Sequence, residues 1–365
     1  LGVSPEPLQW DRPDPRQARA TGAPMSTTPE SALPETPSRR RPWSRRRKVL
    51  TLLGVLLVLL LIPVLIVGGF LYKLGHDFDA DSPKLSQALP SDDAGRPKED
   101  GSYNVLLLGS DSRKGEADEK VVSGQRSDAI MLVHIPSDGG AAYVVSIMRD
   151  TWVDIPGHGK AKINAGLNYG GIPLEVRTIE QLLGTRIDHV AEIDFQGFRD
   201  LTNAVGGVPV DVPMDFTADG HEFRKGEQTL DGDEALAFVR DRYSFQDGDY
   251  QRVRDQRIYL RGLLKKILSP ETLSSPTKLS DAVEKFSPYV SVDEDLTARE
   301  IVAMGMKAGP SGLRNMTMFT LPNSGTGWSE DGQSIVIPDE DAIHRLSQAL
   351  ENGTMADYVK TIPTD

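Results

Sequence analysis

The chain has 365 residues, 38% hydrophobic and 26% charged, which is enough for one large domain or two modest ones and is globular in composition. It contains no cysteine, which excludes disulfides, thiolate metal sites and cysteine nucleophiles. The formal net charge is −12, unevenly spread: residues 1–76 carry eleven Lys/Arg against five Asp/Glu, or +6, leaving −18 for the remainder. A remainder that acidic excludes general binding to a phosphate backbone, so no nucleic acid is expected as a partner.

Residues 1–47 are rich in Pro, Ser, Thr and Arg, show no apolar period, and are expected to form a disordered cytoplasmic tail. Residues 49–71 are uncharged and mostly apolar, a run long enough to cross the roughly 30 Å hydrocarbon core as a helix. Seven basic residues between Arg39 and Lys48 precede it, which by the positive-inside bias keeps the N-terminus cytoplasmic and exports the chain beyond about residue 75. The run exceeds a signal peptide's apolar region and no A-x-A site comes after it. Residues 48–72 therefore read as a signal anchor in the cell membrane, and 73–101 as a polar extracytoplasmic stalk.

From residue 102 to 355 strand and helix signals mix. "YNVLLLG" (103–109), "DAIMLVHI" (128–135) and "AAYVVSIM" (141–148) read as buried strands, and the turn "PSDGG" pairs the last two as an antiparallel hairpin. A helix is expected over 171–184 with Gly184 as its stop, then a strand over 189–195, a helix over 196–207 and a strand over 208–213. "DGDEALAFVRDR" (231–242) reads as a helix capped by Asp231, and "DYQRVRDQRIYLRGLLKKIL" (249–268) as a longer amphipathic one capped by Asp249. Further helices and strands continue to 355, and 356–365 forms a C-terminal tail. The expected fold is one α/β domain, a mixed sheet with helices on both faces, preceded by one transmembrane helix.

Four stretches carry the chemistry. "LLLGSDSR" (106–113) ends a strand at Gly109 and presents Asp111 where open α/β sheets place ligands. "QRSDAIMLV" (125–133) sets Arg126 and Asp128 before the next strand, so Asp111 and Asp128 could together offer hard oxygen ligands to Mg²⁺. "SIMRDTWVDIPGHGKAKINAGLNYGG" (146–171) ends a strand at Arg149 and Asp150 and continues to Lys162 and Asn164. "FVRDRYSFQDGDYQRVRDQRIYLR" (238–261) concentrates Arg240, Arg242, Arg252 and Arg254, with Gln256 on the helical face of Arg252. Guanidinium forks of this kind grip phosphate bidentately. Each stretch alone also reads as an ordinary charged turn or solvated face, and Arg257 and Arg261 fit that bland reading. Repeated Asp/Arg pairs at strand ends argue against it for the set. No P-loop, G-x-S-x-G or H-E-x-x-H occurs.

In this order the motifs "LLLGSDSR", "QRSDAIMLV", "SIMRDTWVDIPGHGKAKINAG", "FVRDR" and "GDYQRVRDQ" resemble those of the LytR-CpsA-Psr (LCP) family of cell-wall glycopolymer ligases, over roughly residues 103–350. The resemblance implies transfer of a glycopolymer from a polyprenyl-pyrophosphate carrier onto a hydroxyl of peptidoglycan or a similar acceptor, releasing polyprenyl phosphate. It implies Mg²⁺, or Mn²⁺ in its place, on Asp111 and Asp128. It assigns Arg126, Arg149, Arg240, Arg242, Arg252, Gln256 and Lys162 to the pyrophosphate, with Asp111, Arg126 and Arg149 in catalysis. Asn164 and Lys162 match the family's K-I-N motif, and Asp150 is placed to orient Arg149. Asp255 stands where family members often have arginine, so that contact is not carried over. A polyprenyl-pyrophosphate hydrolase and a non-catalytic lipid-binding regulator remain as alternatives.

Overall fold

The computed structural model describes residues 69–70, 72–93, 95–110, 127–273 and 275–362. The expected cytoplasmic tail and nearly all of the 49–71 apolar run lie outside them. Among the described residues no helix is long and apolar enough to cross a membrane.

In chain order the helical residues 72–81 (α1) lead to strands β1 (Lys84–Leu85), β2 (Tyr103–Ser110), β3 (Ser127–Ile135) and β4 (Tyr143–Ile147), then to the hairpin β5 (Trp152–Ile155) and β6 (Gly159–Lys162). Helix α2 (Ala165–Leu183), β7 (His189–Asp194) and α3 (Phe195–Ala204) come after it. Next are β8 (Val208–Val212), β9 (Phe216–Ala218), β10 (His221–Phe223), β11 (Gly226–Leu230), α4 (Gly232–Arg240) and α5 (Asp249–Ile267). The chain continues through α6 (Pro270–Leu273), α7 (Pro276–Phe286), β12 (Ser291–Asp293), α8 (Ala298–Arg314) and β13 (Thr317–Thr320). It closes with the hairpin β14 (Asn323–Trp328) and β15 (Ser334–Pro338), α9 (Glu340–Glu351) and α10 (Met355–Tyr358).

Seven strands form one mixed sheet in the order β1-β12-β7-β2-β3-β4-β13. β3 pairs antiparallel with β2 and with β4, whereas β2–β7 and β4–β13 are parallel. Because side chains alternate across a strand, the two faces of the sheet feed two cores. Leu106, Leu108, Ile130, Leu132 and Val145 pack on one side with Val176 and Ile179 of α2 and Leu346 of α9. Val105, with Leu107, Val133 and Ile193, packs on the other with Leu201 of α3, Phe238 of α4 and Tyr259 of α5. The expected layering of helices over both faces is thus observed.

The segment expected to be a stalk is built into the domain. Phe78, Leu85 and Ala88 are buried in the cores, β1 adds a parallel edge to β12, and Arg96 is ion-paired to Glu180 at 2.7 Å. At the other end, Met355 and Tyr358, expected in or beside a tail, are buried against the first core.

Helix α2 kinks at Gly170 and Gly171, the latter at φ 68°, and stops at Gly184 in the left-handed region, as the sequence suggested. Beyond the kink it buries Glu175 at 0% exposure, with neither carboxylate oxygen hydrogen-bonded. Burial pushes this carboxyl up to about 8, and the Leu167 amide, which offsets part of the shift, lies outside hydrogen-bonding geometry. A raised acid binds its proton more tightly when folded, so stability falls as pH rises from about 4.5 toward 8. Glu175→Gln is expected to remove that slope and to stabilise the chain at pH 8, read from urea midpoints at pH 5 and pH 8.

Candidate functional site

Four elements converge at one end of the central strands. β3 carries Asp128 as its second residue. β4 ends at Ile147 and passes into a turn, Thr151 N–H to Met148 carbonyl at 2.9 Å, that presents Arg149 and Asp150. α4 begins with a full capping box on Asp231 and Glu234 and ends at Arg240, after which Asp241 turns the chain toward Arg242. α5 then starts at Asp249 and carries Arg252 and Gln256, four apart, on one face. Asp128, Arg149, Arg240, Arg242, Arg252 and Gln256 all line one cavity of about 250 Å³, together with Asp219, Asp241 and Tyr243.

Charge in this cavity is dense and opposed, four guanidinium groups against three carboxylates. Arg149 is at its centre. Its Nη1 donates to Asp128 Oδ1 at 2.5 Å, and its Nε lies 3.7 Å from Asp150 Oδ2 and 3.9 Å from Asp249 Oδ2. Burial opposes the Arg149 cation, but the Asp128 hydrogen bond and the three carboxylates outweigh it, and its pKa ends above the ordinary arginine value. Arg252, with its side chain 5% exposed, is held below the ordinary value, chiefly by burial and also by Arg149, although Asp249 at 3.2 Å partly restores it. The Nε donors of both Arg149 and Arg252 are buried without a hydrogen-bond acceptor. Two desolvated, incompletely satisfied cations side by side form a site for a polyanion, since a buried unpaired donor costs free energy that an anionic oxygen would recover.

Six of the sequence candidates are therefore brought together. Lys162 is not among the cavity-lining residues. Its Nζ sits 3.0 Å from Asp150 Oδ1, so it neutralises the carboxylate beside Arg149. The rest of the K-I-N stretch props the same turn: Ile163 N–H donates to Thr151 carbonyl at 2.8 Å and Asn164 N–H to Arg149 carbonyl at 3.3 Å. Asp249 does not cap α5. The N-cap is Gly248 and no side chain caps the helix, because the Asp249 carboxylate is turned to Arg149 and Arg252. Asp255 is fully buried away from the cavity lining, accepting from Gln251 Nε2 at 2.8 Å, and burial pushes its carboxyl up to about 7. Arg254 is ion-paired to Asp247 and donates to Gln251, so it does not supply the missing cation. Asp111 and Arg126 lie outside the described residues, as does the rest of 111–126.

Sequence reasoning missed Asp219, Asp241 and Tyr243. Asp241 was visible as the middle of R-D-R, and its Oδ2 is buried without a partner. Asp219 sits at φ 46° in the β9–β10 turn, and only the tertiary fold brings it to the arginines. Tyr243 accepts from Arg242 Nη2 at 2.6 Å and lies under that guanidinium.

The donor set bears on a metal. Among the described residues no group of three His, Asp or Glu could hold an ion unaided. Asp128, 23% exposed at its side chain and lining the cavity, offers one hard carboxylate. That fits an ion such as Mg²⁺, which takes one or two protein carboxylates and completes its shell with phosphate oxygens and water.

The LytR_cpsA_psr family model matches residues 72–352. The chain belongs to this family. The polyisoprenyl-teichoic acid–peptidoglycan teichoic acid transferase TagU of Enterococcus faecalis is 30% identical over 311 residues, covering 85% of this chain and 98% of the relative. The crystal structure of Bacillus subtilis TagV superposes with a TM-score of 0.57 at 27% identity, over 73% of this chain and 100% of that one. TagT bound to LI-WTA gives a TM-score of 0.55 at 27% identity, over 70% of this chain and 94% of that one. The matched residues include the whole arginine-lined cavity, the second core, and all of the first core up to α9.

Proposed function

We propose that this LytR_cpsA_psr chain is a phosphotransferase that moves a glycopolymer from a polyprenyl-pyrophosphate carrier to a cell-wall hydroxyl, on peptidoglycan or a similar acceptor. The observation that carries the reading is the pair Arg149 and Arg252, which line one anion-sized cavity and each hold a buried Nε donor that has no acceptor. The names of the transferase relatives and the TagT complex with LI-WTA support the substrate class.

The acceptor oxygen attacks the phosphorus that bears the sugar, and the bridging P–O bond to the prenyl phosphate breaks. The acceptor proton leaves, and the products are a phosphodiester and polyprenyl phosphate. Such transfers are mostly positioning and charge stabilisation. Arg149 and Arg252 face charge building on the leaving phosphate, and Arg240 and Arg242 hold the outer oxygens. Arg240 is kept at the rim by its guanidinium resting 4.5 Å over the Phe195 ring. Gln256 lines the same wall as a neutral donor and acceptor. Asp128, with Asp111 as its expected partner, would hold the Mg²⁺, which when bound supplies positive charge to the phosphate oxygens. The apolar run at 49–71 anchors the chain in the cell membrane, with the domain extracytoplasmic and close to its lipid donor.

The test uses the full chain in lipid vesicles with Mg²⁺, a short prenyl-pyrophosphate saccharide and peptidoglycan oligomers, read by mass spectrometry. Acceptor carrying a saccharide phosphate and equimolar prenyl phosphate are expected, and EDTA should abolish both. Prenyl phosphate without modified acceptor would indicate a hydrolase, and turnover insensitive to EDTA would remove the metal from the reading.

A further inference from the structure

The arginine site does not use the outer end of the β14–β15 hairpin. The hairpin is nevertheless fastened to that site. Val336 N–H donates to the Asp150 carbonyl at 2.9 Å, and the Tyr250 hydroxyl donates to Asn323 Oδ1 at 2.6 Å. Val336 packs with Met148 and Val253, the neighbours of Arg149 and Arg252, and with Tyr250.

The register places Trp328 opposite Ser334 and Thr326 opposite Val336, so these four residues share one face of the hairpin. Val336 anchors that face beneath the arginines. Farther out the face carries Thr326, Ser334 and Trp328, all exposed, with Trp328 at 76%. No other Trp or Phe among the described residues is exposed. The ring is held on a strand whose register is fixed by four cross-strand pairs and whose turn is closed by Ser329 N–H to Gln333 carbonyl at 2.9 Å. A preorganised aromatic with hydroxyls beside it offers an apolar surface for the C–H face of a sugar ring and hydrogen bonds for its equatorial groups.

We infer that the Trp328 face of the β14–β15 hairpin is a docking platform for the acceptor glycan, stacking a pyranose ring of the cell-wall polysaccharide beside the phosphate site. The inference rests on the phosphotransferase reading for its choice of ligand. The platform is uncharged at Trp328, Thr326 and Ser334, which suits a polysaccharide backbone and gives no hold on the pyrophosphate. Trp328 is a positioning residue for the acceptor and takes no part in the phosphoryl step.

The experiment measures binding and transfer separately, with the full chain in vesicles. Binding is read by saturation-transfer NMR and by co-sedimentation with uncrosslinked peptidoglycan glycan strands. Trp328→Ala is expected to weaken glycan binding roughly tenfold, from the loss of about 1–1.5 kcal/mol of stacking. It should raise the acceptor KM by the same factor, with donor affinity and kcat at saturating acceptor within about threefold of wild type and the melting temperature unchanged. Trp328→Phe should recover most of the loss. Wild type that binds glycan but transfers nothing would sink the phosphotransferase reading and leave the platform standing. Equal glycan binding by wild type and Trp328→Ala, or transfer by wild type with no measurable glycan binding, would overturn the platform.

Discussion

Replacing Arg149 by alanine is expected to lower glycopolymer transfer by about 10²–10³-fold, the usual cost of deleting one preorganised donor to developing charge. No other side chain in the cavity occupies its place. It is half-buried, touches Asp128 at 2.5 Å and is flanked by Asp150 and Asp249 within 4 Å. Removing the cation leaves Asp128 without its partner and takes one guanidinium out of the cavity, which also weakens its hold on the pyrophosphate. The donor Kd should therefore rise as kcat falls. Arg149→Lys separates charge from geometry. An ammonium keeps the Asp128 pair and the fold but cannot present the planar fork, and transfer should still drop by more than tenfold. Steady-state kinetics of both variants, alongside their melting curves, check the assignment. Arg149→Lys within threefold of wild type would mean that the fork does not meet the transferring phosphate.

Sequence separation decides which features of the fold and site can be read from the chain alone. The strands over 103–109, 128–135 and 141–148 announced themselves because each is buried on both faces and reads as a continuous apolar run. The α4 cap was legible because Asp231 and Glu234 satisfy each other's backbone within one turn. The arginines of α4 and α5 were legible as a cluster because the two helices are consecutive. Asp249 misled because first-turn aspartate is also a common helix signal, and its carboxylate is taken by Arg252 one turn on and by Arg149, 100 positions earlier in the chain. Asp219 was hidden for the same reason, since nothing in "TADG" says that its turn faces Arg149. β8 was legible over 208–213 because V-P-V-D-V alternates, whereas β6, β10 and β11 carry polar or exposed residues at many positions, so their apolar signal is weak.

The largest stability effect should come from the segment that composition made look like a stalk. Arg96 and Glu180 are 84 residues apart, and their side chains are 4% and 2% exposed. The guanidinium Nε and Nη2 both donate to the Glu180 carboxylate, at 3.1 and 2.7 Å, and Nη2 also donates to the Ile187 carbonyl at 2.7 Å. Glu180 Oε1 in turn accepts from the Ile187 N–H at 2.9 Å. The pair thus ties residues 92–100 to the end of α2 and to the approach to β7, so that β2 can enter the sheet from a fixed point. Removing either partner leaves the other charge buried, and Arg96→Ala or Glu180→Ala is expected to cost about 3–5 kcal/mol. The double replacement Arg96→Leu with Glu180→Leu removes both charges and should recover most of that loss, because the pair must offset its own desolvation. Urea unfolding of the four proteins at pH 7 gives the coupling energy directly. Costs that simply add would show that the two side chains are not coupled, and single costs within about 0.5 kcal/mol of zero would show that the 92–100 segment rests on the domain without stabilising it. A coupling of several kcal/mol would make it part of the domain's cooperative unit, and would place the folded boundary next to the residue-71 end of the apolar run and not at residue 102.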